Sequence, residues 1–157
     1  TTWSDAHYEL AAEHKQRGDY ERARREFLAV ANAAPYSYYP LMQIGDMYRL
    51  MDQTVRAEST YLLALTKQET PYVHVRLGML YLEQKKIREA IAQFERTIAS
   101  EGNNELMDTK SRSLVRYLLG AAYGERGELE KAKIQLQSAV QIDPSNAEAK
   151  SMLGQIP

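Results

Sequence analysis

The sequence contains no cysteine, which excludes disulfide bonds, thiolate nucleophiles and cysteine metal ligands. No apolar run approaches the roughly 18 residues that a membrane-spanning helix requires, and no segment has the pattern of a signal peptide. An excess of charge of either sign is also missing, with 20 basic and 21 acidic residues in the 157-residue chain. Because nucleic-acid binding draws most of its affinity from neutralising phosphates, this balance argues against a nucleic-acid ligand.

The amino terminus reads Thr1-Thr2-Trp3 and carries no methionine. This start predicts an excised domain or a processed product, from which a signal or an anchor could have been removed. Both cytoplasmic and exported proteins can lack cysteine, so the compartment stays open between cytoplasm and periplasm.

What the sequence does contain is an internal repeat with two independent markers. The first is a small residue at Ala11, Gly45, Gly78 and Gly120, and the second is a small residue at Ala23, Ala57, Ala90 and Ala132. Both series advance in steps of 34, 33 and 42 residues. Each unit therefore consists of two helices in a fixed register, with the last interval lengthened by an insertion.

Turn-forming triplets separate the two markers of every unit, at 17–19, 51–53, 84–86 and 126–128. We expect the small residues to mark close helix contacts, with Gly45 facing Ala57 and Gly78 facing Ala90. Gly18 and Gly127 suit the left-handed end of a helix.

This register resembles the tetratricopeptide repeat, a 34-residue helix–turn–helix unit with the patterns W-x2-L-G-x2-Y and A-x3-F. The resemblance implies an all-α fold, a right-handed superhelical array of four repeats plus a C-terminal capping helix, with nine helices and no sheet. We expect one domain over 1–157, with repeats at about 4–37, 38–70, 71–104 and 113–146. A helical extension of about two turns is expected over 105–112. The helix expected over 147–155 is either the cap or the first helix of a fifth repeat.

Catalytic motifs such as H-E-x-x-H, G-x-S-x-G or a Walker-type loop do not occur. The histidines His7, His14 and His74 all fall on packing positions of the repeat. We therefore predict no enzyme activity, no bound metal and no cofactor.

The resemblance also implies that the first helix of each repeat lines a concave groove that binds a peptide or a partner protein. Six of the 11 tyrosines have no role in the repeat pattern, and four of these six fall on groove positions. Tyrosine suits recognition surfaces because it offers a large contact area with few rotors. The alternative is that these rings stack between neighbouring repeats and only shape the array. The predicted groove residues are Tyr8, Tyr39, Met42, Asp46, Arg49, Tyr72, Val75, Arg76, Met79, Leu82 and Tyr117.

Family members that grip acidic chaperone tails use a clamp of lysine, arginine and asparagine side chains. The matching positions hold Tyr8, Ala12, Gln43, Tyr72 and Arg76, so only Arg76 fits and that function is not expected. We predict a protein-interaction module. The alternatives are an accessory domain that positions substrate in a larger enzyme or a secretion or assembly protein, and a self-associating scaffold.

Overall fold

In a computed structural model that describes residues 1–102 and 107–157, nine α-helices follow one another and no strand occurs in those residues. This confirms the predicted all-α class. The helices are α1 (Trp3–Gln16), α2 (Tyr20–Ala33), α3 (Tyr39–Leu50), α4 (Thr54–Lys67), α5 (Pro71–Glu83), α6 (Ile87–Ala99), α7 (Thr109–Glu125), α8 (Leu129–Ile142) and α9 (Ala147–Gln155). A short 3-10 turn, Ser100–Gly102, follows α6.

Backbone contacts divide the chain into two compact units, Thr1–Glu69 with α1–α4 and Thr70–Pro157 with α5–α9. Within each unit, consecutive helices pack as hairpins, α1 with α2 and α3 with α4 in the first, α5 with α6 and α7 with α8 in the second. The single domain over 1–157 stays a prediction, and the two units are described separately.

Local sequence explains where the helices begin. Thr2 caps α1 through a reciprocal pair of hydrogen bonds with Asp5, and Asn146 caps α9 by accepting from the backbone of Ala149. Pro40 and Pro71 lie in the first turns of α3 and α5, where a missing N–H costs little.

The four predicted turns all lie between the first and second helix of a pair. Gly18 and Gly127 adopt a left-handed backbone with φ of +77°, as predicted. Asp52 and Lys85 take the same conformation, with φ of +61° and +60°, although neither is glycine. The repeat therefore imposes one backbone shape on four different turn sequences.

The glycines of the first helices make room for a large side chain of the second helix. A Cβ added at Gly45 would lie 2.5 Å from the ring of Tyr61, and one added at Gly120 would lie 2.8 Å from Leu136. A Cβ added at Gly78 would lie equally close to the ring of Phe94. At Gly120 the backbone oxygen of Ala132 is also near the added Cβ, at 3.2 Å, so the glycine meets the second helix at the predicted small residue as well as at the large residue four positions after it. The facing of Gly45 with Ala57 and of Gly78 with Ala90 stays a prediction.

Helix α7 begins at Thr109, which corrects the predicted helical extension over 105–112. Asp108 caps the helix by accepting hydrogen bonds from the backbone and hydroxyl of Ser111, so Met107 and Asp108 precede it. The extension described is one turn, residues 109–112, and residues 105 and 106 lie outside the described part of the chain.

Glu101 and Arg116 join the two sides of the inserted segment. The Arg116 guanidinium donates to both carboxylate oxygens of Glu101, at 2.8 and 2.6 Å, and each side chain is only 12% exposed. The Glu101 carboxyl has a lowered pKa, chiefly through its hydrogen bond from Arg116. This pair ties the end of α6 to α7.

Helix α9 spans Ala147–Gln155 and packs on α8, where Leu136 and Ala139 meet Met152 and Leu153. Its opposite side carries Lys150, Ser151 and Gly154, all exposed. A polar outer side suits a helix that covers the end of a repeat array.

Candidate functional site

In the first unit, the predicted groove residues Tyr8 and Tyr39 lie together. Their ring centroids are 5.5 Å apart at an interplanar angle of 75°, and Tyr8 also approaches the Phe27 ring at 6.0 Å. Tyr8 is partly buried against a core that contains Phe27, Ile44 and Met47, so it packs between α1, α2 and α3. Burial, and secondarily Tyr39, raises the pKa of Tyr8. Tyr39 is 43% exposed.

Three other predicted groove residues are buried, which corrects the expectation that they offer surface to a partner. Met42, Asp46 and Val75 are 3%, 6% and 5% exposed. Val75 packs in a core with Val115 and Leu119 of α7. Met42 occupies the same repeat position as Val75, three residues before the glycine of its helix.

Asp46 is buried for a different reason. The Tyr61 hydroxyl donates a buried hydrogen bond of 2.5 Å to the Asp46 carboxylate, which joins α3 to α4. Burial, followed by the charge of Asp46, raises the pKa of Tyr61, and the guanidinium of Arg49 opposes that rise. Asp46, Arg49 and Tyr61 therefore form a polar cluster inside the first unit.

In the second unit, the remaining predicted residues on α5 are partly buried. Tyr72, Met79 and Leu82 pack against the core that contains Phe94 and Leu119. The Arg76 guanidinium donates to the backbone oxygen of Tyr72 at 3.1 Å.

Tyr117 on α7 lies between two hollows of the second unit. It is partly buried against the cluster of Leu136, Ala139 and Ala149, and it lines both hollows. One hollow, of about 420 Å³, is also lined by Lys110, Ser111, Leu114, Asp143, Ser145, Asn146 and Glu148. The other, of about 390 Å³, is also lined by Ala147, Glu148, Ser151, Met152 and Gln155.

Sequence reasoning missed the contribution of α9 and of the α8–α9 connection to these hollows. The sequence predicts α9 as a cap or as the first helix of a fifth repeat, but the repeat pattern does not say which of its side chains face the preceding repeat. The recurrence of Leu153-Gly154 at the spacing of Leu119-Gly120 was the available signal.

Two of the histidines hold equivalent structural positions. His7 Nδ1 lies 2.5 Å from a carboxylate oxygen of Glu26, and His74 Nδ1 lies 2.7 Å from the side-chain oxygen of Gln93. In both pairs the partners are 19 residues apart and join the first helix of a repeat to the second. These contacts confirm the packing positions predicted for His7 and His74.

Within residues 1–102 and 107–157, no group of three or more potential ligands is arranged to hold a metal ion. A search of the same residues for a helix long and apolar enough to cross a membrane finds none.

Comparison with known proteins identifies the repeats. Family profiles described as "Tetratricopeptide repeat" match residues 72–103 and 115–146. A search of curated proteins gives no match. Proteins with this fold generally mediate protein–protein interactions.

Solved structures with a similar fold include repeat proteins from several bacteria. MamA from Desulfovibrio magneticus RS-1 aligns with a TM-score of 0.77 at 23% identity, over 98% of this chain and 82% of MamA. PilF from Pseudomonas aeruginosa aligns with a TM-score of 0.86 at 19% identity, over 98% of this chain and 67% of PilF. A thermophilic repeat protein of Thermus thermophilus aligns with a TM-score of 0.78 at 18% identity, over 98% of this chain and 80% of that protein's chain. At these identities the likeness concerns the fold.

Proposed function

Given that this chain belongs to the tetratricopeptide repeat family, we propose that it is an interaction module that binds a peptide or a partner protein through its first helices. The partner is a polypeptide with apolar anchors, and the proposal assigns the chain no reaction of its own. Each unit contributes its own surface to this binding.

One observation carries the proposal. On α3 and α7 the exposed large apolar side chains are Tyr39, Leu50 and Leu114, at 43%, 38% and 39% exposure. All three occupy positions that the family resemblance assigns to the binding face of a first helix. Second helices expose large apolar side chains too, among them Val55 and Ile134, so it is the position of these three on the binding face that supports recognition.

The binding residues combine these exposed side chains with partly buried residues that the resemblance places on the same face. In the first unit we assign Tyr39 and Leu50, with Tyr8 supporting the Tyr39 ring, and Arg49, which is partly exposed although it belongs to the polar cluster. In the second unit we assign Leu114 with the residues Tyr72, Arg76, Met79, Leu82 and Tyr117, and the two hollows beside Tyr117 would receive side chains of the partner. Met42, Asp46 and Val75 are left out because they are buried.

The experiment compares capture of partners from the source cell by the wild type and by a Tyr39→Ala, Tyr72→Ala double variant. Affinity for a captured partner should fall about 30-fold or more, because a central tyrosine typically contributes about 2 kcal/mol to binding. Circular dichroism must first show that the double variant folds like the wild type.

Tyr36→Ala is the matched control. Tyr36 is 80% exposed, more than Tyr39, but it lies in the segment between α2 and α3 and outside the first helices. Its removal should leave binding unchanged. Equal capture by the double variant and the wild type, or an equal loss with Tyr36→Ala, would show that the first helices are not the binding surface.

A further inference from the structure

A basic hollow lies at the turn between α5 and α6, on a part of the second unit that the proposed function does not use. Its volume is about 560 Å³. Four of its six lining residues are cationic and one is acidic: Lys85, Lys86, Ile87, Arg88, Glu89 and Arg126. Arg126 comes from the turn between α7 and α8, so two successive repeats of the unit build this basic hollow.

The first unit provides an internal comparison at the same repeat position. The turn between α3 and α4 also borders a hollow, of about 470 Å³, lined by Asp52, Gln53, Thr54, Val55 and Arg56. Asp52 and Lys85 have matching backbone conformations, with φ of +61° and +60°. The fold therefore produces the hollow in both units, but only the second unit lines it with several cations.

Lys85 is an unusual residue for its backbone. The left-handed conformation is comfortable for glycine, which stands at the same place in two other turns as Gly18 and Gly127, and it is tolerated by aspartate. For lysine it is strained, and the repeat imposes it here as it does at the other three turns. The Lys85 side chain is 75% exposed and lies 3.3 Å from a carboxylate oxygen of Glu125.

The neighbouring carboxylates neutralise only part of the charge. Glu125 pairs with Lys85, and Glu128 pairs with Arg126 at 2.8 Å and with Lys131 at 2.6 Å. Lys86 lies over the Tyr81 ring, 5.7 Å from its centroid. Among the described residues, neither Lys86 nor Arg88 has a carboxylate within 4.0 Å. Two cations at the basic hollow thus remain available for an anionic ligand.

From this geometry we infer that the basic hollow binds an acidic segment of a partner polypeptide, whose carboxylates pair with Lys86 and Arg88. The basic hollow is separate from the binding face of the first helices, so an experiment can contradict one proposal without affecting the other. Spaced carboxylates fit better than a phosphate backbone, because Glu89 and Glu125 interrupt the positive charge. No aromatic side chain lines the basic hollow, whereas single-stranded nucleic acids stack their bases on aromatic rings.

The test measures binding of fluorescein-labelled hexaglutamate to the whole chain by fluorescence anisotropy. Binding should weaken as salt rises from about 10 mM to about 150 mM, since the Debye length falls from about 30 Å to about 8 Å. A Lys86→Gln, Arg88→Gln double variant should bind about tenfold more weakly, as expected for the loss of two exposed ion pairs. Lys86→Arg keeps the charge and should bind like the wild type.

Arg56→Gln is the matched control, because it removes a cation from the hollow of the first unit and should leave the affinity unchanged. No binding of hexaglutamate at low salt, or equal binding by the double variant, overturns the inference. So does full displacement of the peptide by inorganic phosphate at equal ionic strength, which would indicate a simple anion site. Tighter binding of single-stranded hexathymidylate, lost in the double variant, would assign the basic hollow to nucleic acid instead.

Discussion

In both units a large ring of the second helix covers a glycine of the first helix, but the residues around this contact are polar in the first unit and apolar in the second. In the first unit, Tyr61 covers Gly45 and bonds to Asp46, with Arg49 beside it. The second unit has an apolar set 33 residues later, in which Phe94 covers Gly78, and Met79 and Leu82 pack against the core that contains it. Three positions change together from polar to apolar, while the glycine under the ring stays the same. The repeat thus determines which positions of the two helices are in contact, but the contact can be polar or apolar.

The largest effect is expected where the two units agree. Gly78→Leu should destabilise the fold by about 3 kcal/mol, because even a Cβ at this position would collide with the Phe94 ring. Gly45→Leu should cost a similar amount against Tyr61. Chemical denaturation measures both.

Gly124→Leu is the control for the glycine predictions, since nothing lies within 4 Å of a Cβ built at Gly124 of the same α7 helix that contains Gly120. It should leave the free energy of unfolding within about 1 kcal/mol of the wild type. If Gly78→Leu were as harmless, the assigned register would be wrong.

A smaller effect is expected where the units differ. Tyr61→Phe copies the residue of the second unit but removes one hydrogen-bond donor from the buried Asp46 carboxylate, so it should destabilise by about 2 kcal/mol. Phe94→Tyr is the reciprocal change, and it should destabilise by a similar amount because its hydroxyl would meet an apolar surrounding. Thermal unfolding measures both variants. A wild-type melting temperature for either one would contradict the proposed difference between a polar contact in the first unit and an apolar contact in the second.

Exchanging the whole polar cluster should be nearly neutral. The triple variant Asp46→Met, Arg49→Leu, Tyr61→Phe reproduces the set of the second unit, and replacing buried polar groups by apolar groups of similar volume is often neutral or stabilising. We expect a free energy of unfolding within about 1 kcal/mol of the wild type, although Tyr61→Phe alone is costly. Additive losses across the three substitutions would show that the units are not interchangeable here.

The smallest effect concerns α9. Gly154 occupies the repeat position of Gly120, 34 residues later, but nothing lies within 4 Å of a Cβ built there. Gly154→Ala should therefore stabilise the chain by about 0.5–1 kcal/mol, because alanine favours the helix and no second helix collides with it. A loss of stability in a denaturant titration would mean that another segment packs on α9.

The sequence allowed the architecture to be predicted because small residues recur at a fixed spacing, and helix pairs with glycine at their contact have few other arrangements. The start of α7 was misplaced because capping by Asp108 depends on local hydrogen bonds that the repeat spacing does not encode. Met42, Asp46 and Val75 were expected on the binding surface because they share a helical stripe with exposed residues. The helical stripe predicts the side of the helix on which a residue lies. Whether the residue is buried depends on the neighbouring helix, as Asp46 is buried where the Tyr61 hydroxyl donates to it.

The pair of Glu101 with Arg116 fastens α7 to the residues that follow α6. Both side chains are only 12% exposed, and the Arg116 guanidinium donates to both oxygens of the Glu101 carboxylate. Two parallel hydrogen bonds fix the planes of the two groups relative to each other, which a single ion pair does not do. The pair therefore constrains the orientation of α7 as well as its distance from the end of α6.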